Sequence, residues 1–170
     1  YIHGGGRIGV IIAAKGTNND AAKEALTNIA MQVAAMNPQY ISRNDISEAE
    51  LPKIKDITTD SALNDATTLP KPILNKLLDK AINEKLWSED DIQQFEEHKN
   101  NMNYVWNFLS DAAKAKLGEL AMADKESIVA EKMFAGVVDG RVSKQLKESS
   151  LLDQTYVKAQ DGNESEHKNL

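Results

Sequence analysis

The sequence predicts an α+β fold, a small antiparallel sheet packed with helices and carrying an inserted helical hairpin or bundle. Three observations point there. The opening residues join a glycine run, Gly4–Gly6, to the consecutive β-branched residues Val10, Ile11 and Ile12, which favour extended backbone. Apolar residues then recur three and four apart, first through Leu26, Ile29, Ala30, Val33 and Ala34 and again from Ile73 to Ile82, the period of a helix with one buried face. Between and beyond these stretches, serine, aspartate and proline sit where helices start and stop.

Taken in order, Arg7 to Ala14 reads as a buried strand, with Gly4–Gly6 forming the turn before it. No helix opens at those glycines. A phosphate-cradling loop needs a helix start there, so that N–H groups and the helix dipole converge on the anion, and a nucleotide loop is therefore disfavoured. Thr17-Asn-Asn-Asp20 supplies capping side chains for a helix over about 20–36, which Asn37-Pro38 ends because a residue before proline avoids the α region. Gln39–Ser42 is expected to add a short strand. Ser47-Glu-Ala-Glu50 has the capping-box form and starts another helix, with Pro52 tolerated in its first turn. That helix fades before Pro70 and Pro72.

The next stretch is helical throughout. Ile73, Leu74, Leu77, Leu78, Ala81 and Ile82 form one apolar stripe, and Ser88-Glu-Asp-Asp91 opens a helix whose stripe includes Ile92 and Phe95, followed by Val105, Trp106, Phe108 and Leu109. Asp111 and Asp124 are expected to cap two further helices, the last running through Ile128, Met133, Val137 and Leu146. No seven-residue period is sustained, so a short bundle fits better than a long coiled coil. The end, 159–170, is polar and is expected to be mobile.

Composition narrows the chemistry. A length of 170 residues suits one ordinary domain with an appendage. With a formal charge of −6, the chain lacks the basic footprint of a phosphate-backbone binder, so no nucleic-acid partner is expected. The absence of cysteine removes thiol nucleophiles and zinc-thiolate sites. No run approaches the ~20 apolar residues of a membrane span. His3, His98 and His167 lie in separate contexts without ligand spacing, the acidic run from Ser88 lacks the order of a calcium loop, and no serine sits in a nucleophile elbow; no metal, cofactor or catalytic residue is expected. Arg7 is expected to pair with a surface carboxylate. Trp87, Phe95, Tyr104, Trp106 and Phe108 gather five of the nine aromatics as bundle core, with some as an exposed anchor for another protein.

His3, Gly5, Gly6, Arg7, Ile8, Gly9 and Val10 match the His-x-Gly-Gly-Arg-Ile-Gly-Val pattern of the elongation factor Ts family. Ile29-Ala-Met-Gln-Val-Ala-Ala-Met-Asn-Pro38 resembles a second block of that family, and Asp139-Gly-Arg-Val-Ser-Lys with Leu151-Leu-Asp-Gln154 a third. The resemblance covers roughly 1–56 and 125–157. It implies the C-terminal half of a guanine-nucleotide exchange factor that acts in the cytoplasm, binds the GTPase elongation factor Tu and promotes GDP release, and is not an enzyme. On that resemblance 1–56 and 125–158 form the α+β core, and 57–124 is a helical insertion, enlarged relative to commoner members, through which a homodimer could form. A helical dimerisation or structural module without its own exchange role is the alternative. His3, Gly5, Gly6, Arg7 and Ile8 become the candidate partner-facing edge. His3 either closes the hairpin or contacts the partner, and the resemblance favours contact. Asp139-Gly-Arg141 would lie on the returning helix, and Leu151–Val157 would re-enter the sheet, with Gln154-Thr-Tyr-Val157 in place of the usual Gln-Pro-Phe-Val. The family's Thr-Asp-Phe-Val exchange element is absent from these residues. Because Tyr1 falls inside a family motif, the chain reads as a piece of a longer protein.

Overall fold

The computed structural model describes residues 1–159. The expected mobile tail therefore lies, from residue 160 onward, outside the described residues, as does His167. The α+β class holds, with a two-stranded antiparallel sheet and a predominance of helix. Two compact units divide the chain, one made of Tyr1–Glu48 with Ser143–Leu170, the other of Ala49–Val142.

The first unit opens with β1 (Ile2–His3) paired to β2 (Ile8–Gly9). The helix expected over 20–36 forms as α1 (Asp20–Met36), where the Asn19 side chain accepts the Ala22 N–H at 2.8 Å. It stops at Asn37, which adopts the left-handed φ of 44° that asparagine tolerates better than most side chains.

Three strand expectations need correction. The buried strand over 7–14 shortens to Ile8–Gly9, both exposed, and Ile11 is 99% exposed. β-branched residues raise strand propensity only where a neighbouring strand and a covering face are at hand, and among the described residues β1 is the sole strand paired to β2. Gln39–Ser42 contributes a single parallel bridge, Tyr40 to Ser150, rather than a strand. Leu151–Val157 does not rejoin the sheet: Leu151–Asp153 is a 3₁₀ turn, and the backbone N–H groups of Leu151 and Leu152 reach Tyr40 and Ile41 carbonyls at 2.9 and 3.0 Å.

Two buried glutamines join the end of this unit to α1. Gln32 Nε2 donates to Gln154 Oε1 at 3.2 Å and to the Thr155 carbonyl at 3.1 Å, while Gln32 Oε1 accepts the Val157 N–H at 2.8 Å. Gln154 Nε2 donates in turn to the Glu148 carbonyl at 2.6 Å. Buried amides must be satisfied in this way, since an unpaired one costs about 1–3 kcal/mol.

The second unit is all helix. It holds α2 (Glu50–Asn64), α3 (Lys71–Asn83), α4 (Glu89–His98), α5 (Met102–Val105), α6 (Asp111–Ala123), α7 (Lys125–Ala130) and the first part of α8 (Lys132–Ser149). Pro70 and Pro72 frame the start of α3 as their missing N–H groups allow. The stripe Ile73, Leu74, Leu77, Leu78 and Ala81 is buried as expected, and its core partners include Leu63, Leu117, Ala121 and Phe134. The last helix is broken at Glu131, and α8 buries Phe134 and Val138 while Met133 is exposed. That places the inward face one residue beyond the expected Met133 and Val137. Asp139 and Arg141 lie on α8 and pair with Lys55 at 3.2 Å and Asp65 at 3.6 Å.

The expected caps Asp111 and Asp124 do not cap. Ser110 does so for α6, accepting the Ala113 N–H at 3.1 Å, and α7 has no side-chain cap. Ser88 caps α4 as expected, accepting the Asp91 N–H. Asp91 then ties both caps together: its buried carboxylate accepts the Ser88 hydroxyl at 2.7 Å and the Ser110 N–H and hydroxyl, each at 2.8 Å. Burial pushes this carboxyl up, but the hydrogen bonds from Ser110 and Ser88 outweigh it and hold it below the ordinary carboxylate range. The ionised form is thus the one the fold stabilises. Asp91→Ala is expected to cost about 2 kcal/mol in urea unfolding near neutral pH. The difference from the parent chain persists above the ordinary Asp range and disappears as pH falls through the lowered folded value, because protonation removes the same interaction.

Candidate partner-binding surface

The five residues singled out from the sequence come together on one hairpin. Four residues, Gly4-Gly5-Gly6-Arg7, bridge His3 and Ile8, which face each other across the antiparallel pair. The three glycines have φ of 61°, 68° and 95°, values that side-chain-bearing residues rarely adopt. The glycine run is therefore a conformational requirement of the turn, with no ligand needed to explain it. Beyond the strands, the Tyr1 and Val10 backbones exchange two hydrogen bonds of 2.9 Å.

His3, Gly5, Gly6, Arg7 and Ile8 are all exposed. The Tyr1 hydroxyl lies 2.9 Å from His3 Nδ1, with the two rings 5.9 Å apart. Tyr1 was not singled out from the sequence, although residues two apart on a strand share a face. Arg7, expected to pair with a carboxylate, makes no ion pair among the described residues. Ile2 is 74% exposed and Ile8 43%, so an unpaired guanidinium and apolar side chains share one small hairpin.

The remaining candidates are elsewhere. His98, at the end of α4, is half-buried and stacks on Phe108 at 3.6 Å between ring centroids. Phe108, expected in the stripe, and Tyr104 are exposed, whereas Trp87 and Phe95 are core. Among the described residues no group of three or more His, Cys, Asp or Glu converges as metal ligands, and no helix is long and apolar enough to cross a membrane.

What these features define is an α+β protein with an exposed glycine-turn hairpin and a separate helical unit. The model of the elongation factor Ts family matches residues 1–163, and the chain belongs to that family. It is 42% identical over 89 residues to elongation factor Ts of Halothermothrix orenii, covering 52% of this chain and 29% of that one. Against elongation factor Ts of a Thermoanaerobacter species it is 36% identical over 124 residues, 70% of this chain and 59% of the relative. The Deinococcus deserti protein of the same name is 32% identical over 113 residues, 66% and 40% of the two chains. The matched stretches thus span less than two thirds of these relatives. No solved structure matches the chain.

Gly6 offers a direct test of the hairpin. At φ 95°, Gly6→Val introduces strain of order 1–3 kcal/mol. Hydrogen exchange at the Val10 amide is expected to accelerate, while the far-UV melting of the helices stays where it was.

Proposed function

We propose that this chain is the C-terminal part of an elongation factor Ts and supplies binding to elongation factor Tu, through the hairpin edge formed by His3, Gly5, Gly6, Arg7 and Ile8. The observation that carries this reading is the family match over 1–163, together with a hairpin whose unpaired Arg7 and exposed Ile8 are open to a second protein. Arginine with adjacent apolar surface is the composition of an interface anchor. In the same reading, residues 57–124 are the helical insertion, and the protein works in the cytoplasm.

The role needs no reactive centre in this chain. An exchange factor accelerates GDP release by binding the nucleotide-free GTPase more tightly than the GDP-bound one, since only differential affinity shifts an equilibrium. The 170 residues contain no Thr-Asp-Phe-Val element, so in this reading they contribute grip without the contact that displaces nucleotide.

Two measurements test it. Mixed with elongation factor Tu carrying a fluorescent GDP, the chain is expected to bind while leaving release far slower than an intact factor does; release as fast as the intact factor's would refute the division of labour. Arg7→Ala is expected to weaken binding about tenfold, in keeping with a buried interface arginine, with unchanged circular dichroism. Equal affinity of the variant would move the interface away from the hairpin.

A further inference from the structure

The helical unit has a cleft to which the proposed function assigns no role. It opens between α3, α4 and α5, with a volume of about 540 Å³, inside the range of sites that enclose ligands. Its floor is apolar: Leu69, Leu74 and Phe95 are buried there, and Met102 and Trp106 are half-buried at the mouth.

The rim has a different chemistry. Asn75, Asn100 and Asn103 are exposed on it, and none makes a side-chain hydrogen bond among the described residues. Each amide carries a donor and an acceptor, the same pair that a peptide bond offers in complement. Lys71 and Lys99 complete the rim. Lys99, just past the end of α4, has an ion pair with Glu96 of that helix, and Lys71 has none among the described residues. No acidic residue lines the cleft, although acids outnumber bases 26 to 20 in the chain. The cleft lining thus carries two lysines and no carboxylate on an acidic protein, with Glu96 beside it partnering one of them.

We propose that this cleft docks a short acidic peptide segment of a partner protein, anchored by an aromatic or large apolar side chain. The anchor fills the floor against Phe95 and Trp106, the peptide backbone pairs with the three asparagine amides, and flanking carboxylates face Lys71 and Lys99. A lone small anion would leave the apolar floor and the amides unused. Two lysines are too few to hold a nucleic-acid backbone against a net charge of −6. Both lysines are exposed, so they act mainly on partner choice and association rate, and binding weakens with salt. The hairpin plays no part in this inference, which stands or falls apart from the exchange role.

Trp106 is a built-in reporter, since the chain's other tryptophan, Trp87, is buried and donates to the Ala113 carbonyl at 3.1 Å. The full chain is titrated with acetyl-Glu-Asp-Phe-Asp-Glu-amide while tryptophan emission is followed. Controls are the basic peptide acetyl-Lys-Arg-Phe-Arg-Lys-amide, the acidic peptide with alanine replacing phenylalanine, and inorganic phosphate. The expected result is a saturable change with the first peptide, at least tenfold weaker with each control. The double variant Lys71→Glu with Lys99→Glu, which changes only exposed side chains, is expected to lose the acidic peptide tenfold or more and to keep its thermal melting. Absence of saturation up to millimolar peptide, equal binding of the basic peptide, unchanged binding by the double variant, or displacement by equimolar phosphate would each overturn the proposal.

Discussion

The helical unit depends on how closely α6 can approach α2. Gly118 lies at that contact: a methyl group there would stand 3.2 Å from Asn64 Oδ1, close enough that the amide must shift slightly, and 3.4 Å from Asn64 Cα, an ordinary van der Waals distance. With no side chain in the way, Ala62 and Leu63 of α2 and Leu117 and Ala121 of α6 are withdrawn completely from water. At roughly 25 cal/mol per Å² of apolar surface, such burial is the main force that holds helices together. Once α6 is fixed, the stripe on α3 has a surface to close upon, and Trp87 finds a carbonyl on α6 for its indole N–H. The Asp91 carboxylate fixes the other end of α6 by joining its cap to that of α4. The cleft lies between these helices, with Leu74 of α3, Phe95 of α4 and Met102 of α5 in its lining beside Trp106.

The first unit is held by a different balance. Its buried apolar residues among those described are few, Ala30 and Ile46, and a small apolar core contributes little by itself. The Gln32 and Gln154 amides carry the connection instead, each bonded on more than one side. Such a pair is specific because it fails in any other register: a shift of one residue would leave two buried amides unpaired. Arg43 and Asp153, 2.8 Å apart at the surface, repeat the same connection weakly.

Features that depend on neighbours in sequence were legible; those that depend on what lies across space were not. α1 and the α3 stripe could be read because capping residues and helical spacing are local, and the hairpin turn because three successive glycines can adopt φ values closed to other residues. The strand over 7–14 could not, since Val10–Ile12 has strand propensity whether or not a partner strand is present. The helix caps show the same limit at finer scale. Ser110 and Asp111 are equally good capping residues, and the decision between them comes from Asp91, nineteen positions away, which binds the Ser110 N–H and hydroxyl together. Phe108 continues the apolar stripe in sequence, yet α5 ends after Val105 and Phe108, beyond that end, is exposed; Tyr104 is exposed within α5 itself.

The same distinction bears on the candidate surface. The pattern from His3 to Val10 was readable as a family mark, but its physical role depends on exposure, which sequence alone did not fix. A two-stranded ribbon is marginal in water by itself, and this one has strands of two residues with Ile2 and Ile8 open to solvent. Its shape is maintained by the glycine turn and the paired Tyr1 and Val10 backbones rather than by a core. A hairpin of this kind gains stability when a second surface covers its apolar side chains and pairs its guanidinium, so binding and ordering reinforce each other. In the proposed reading, that coupling is what a partner-binding edge would use, ordering the hairpin as it is covered.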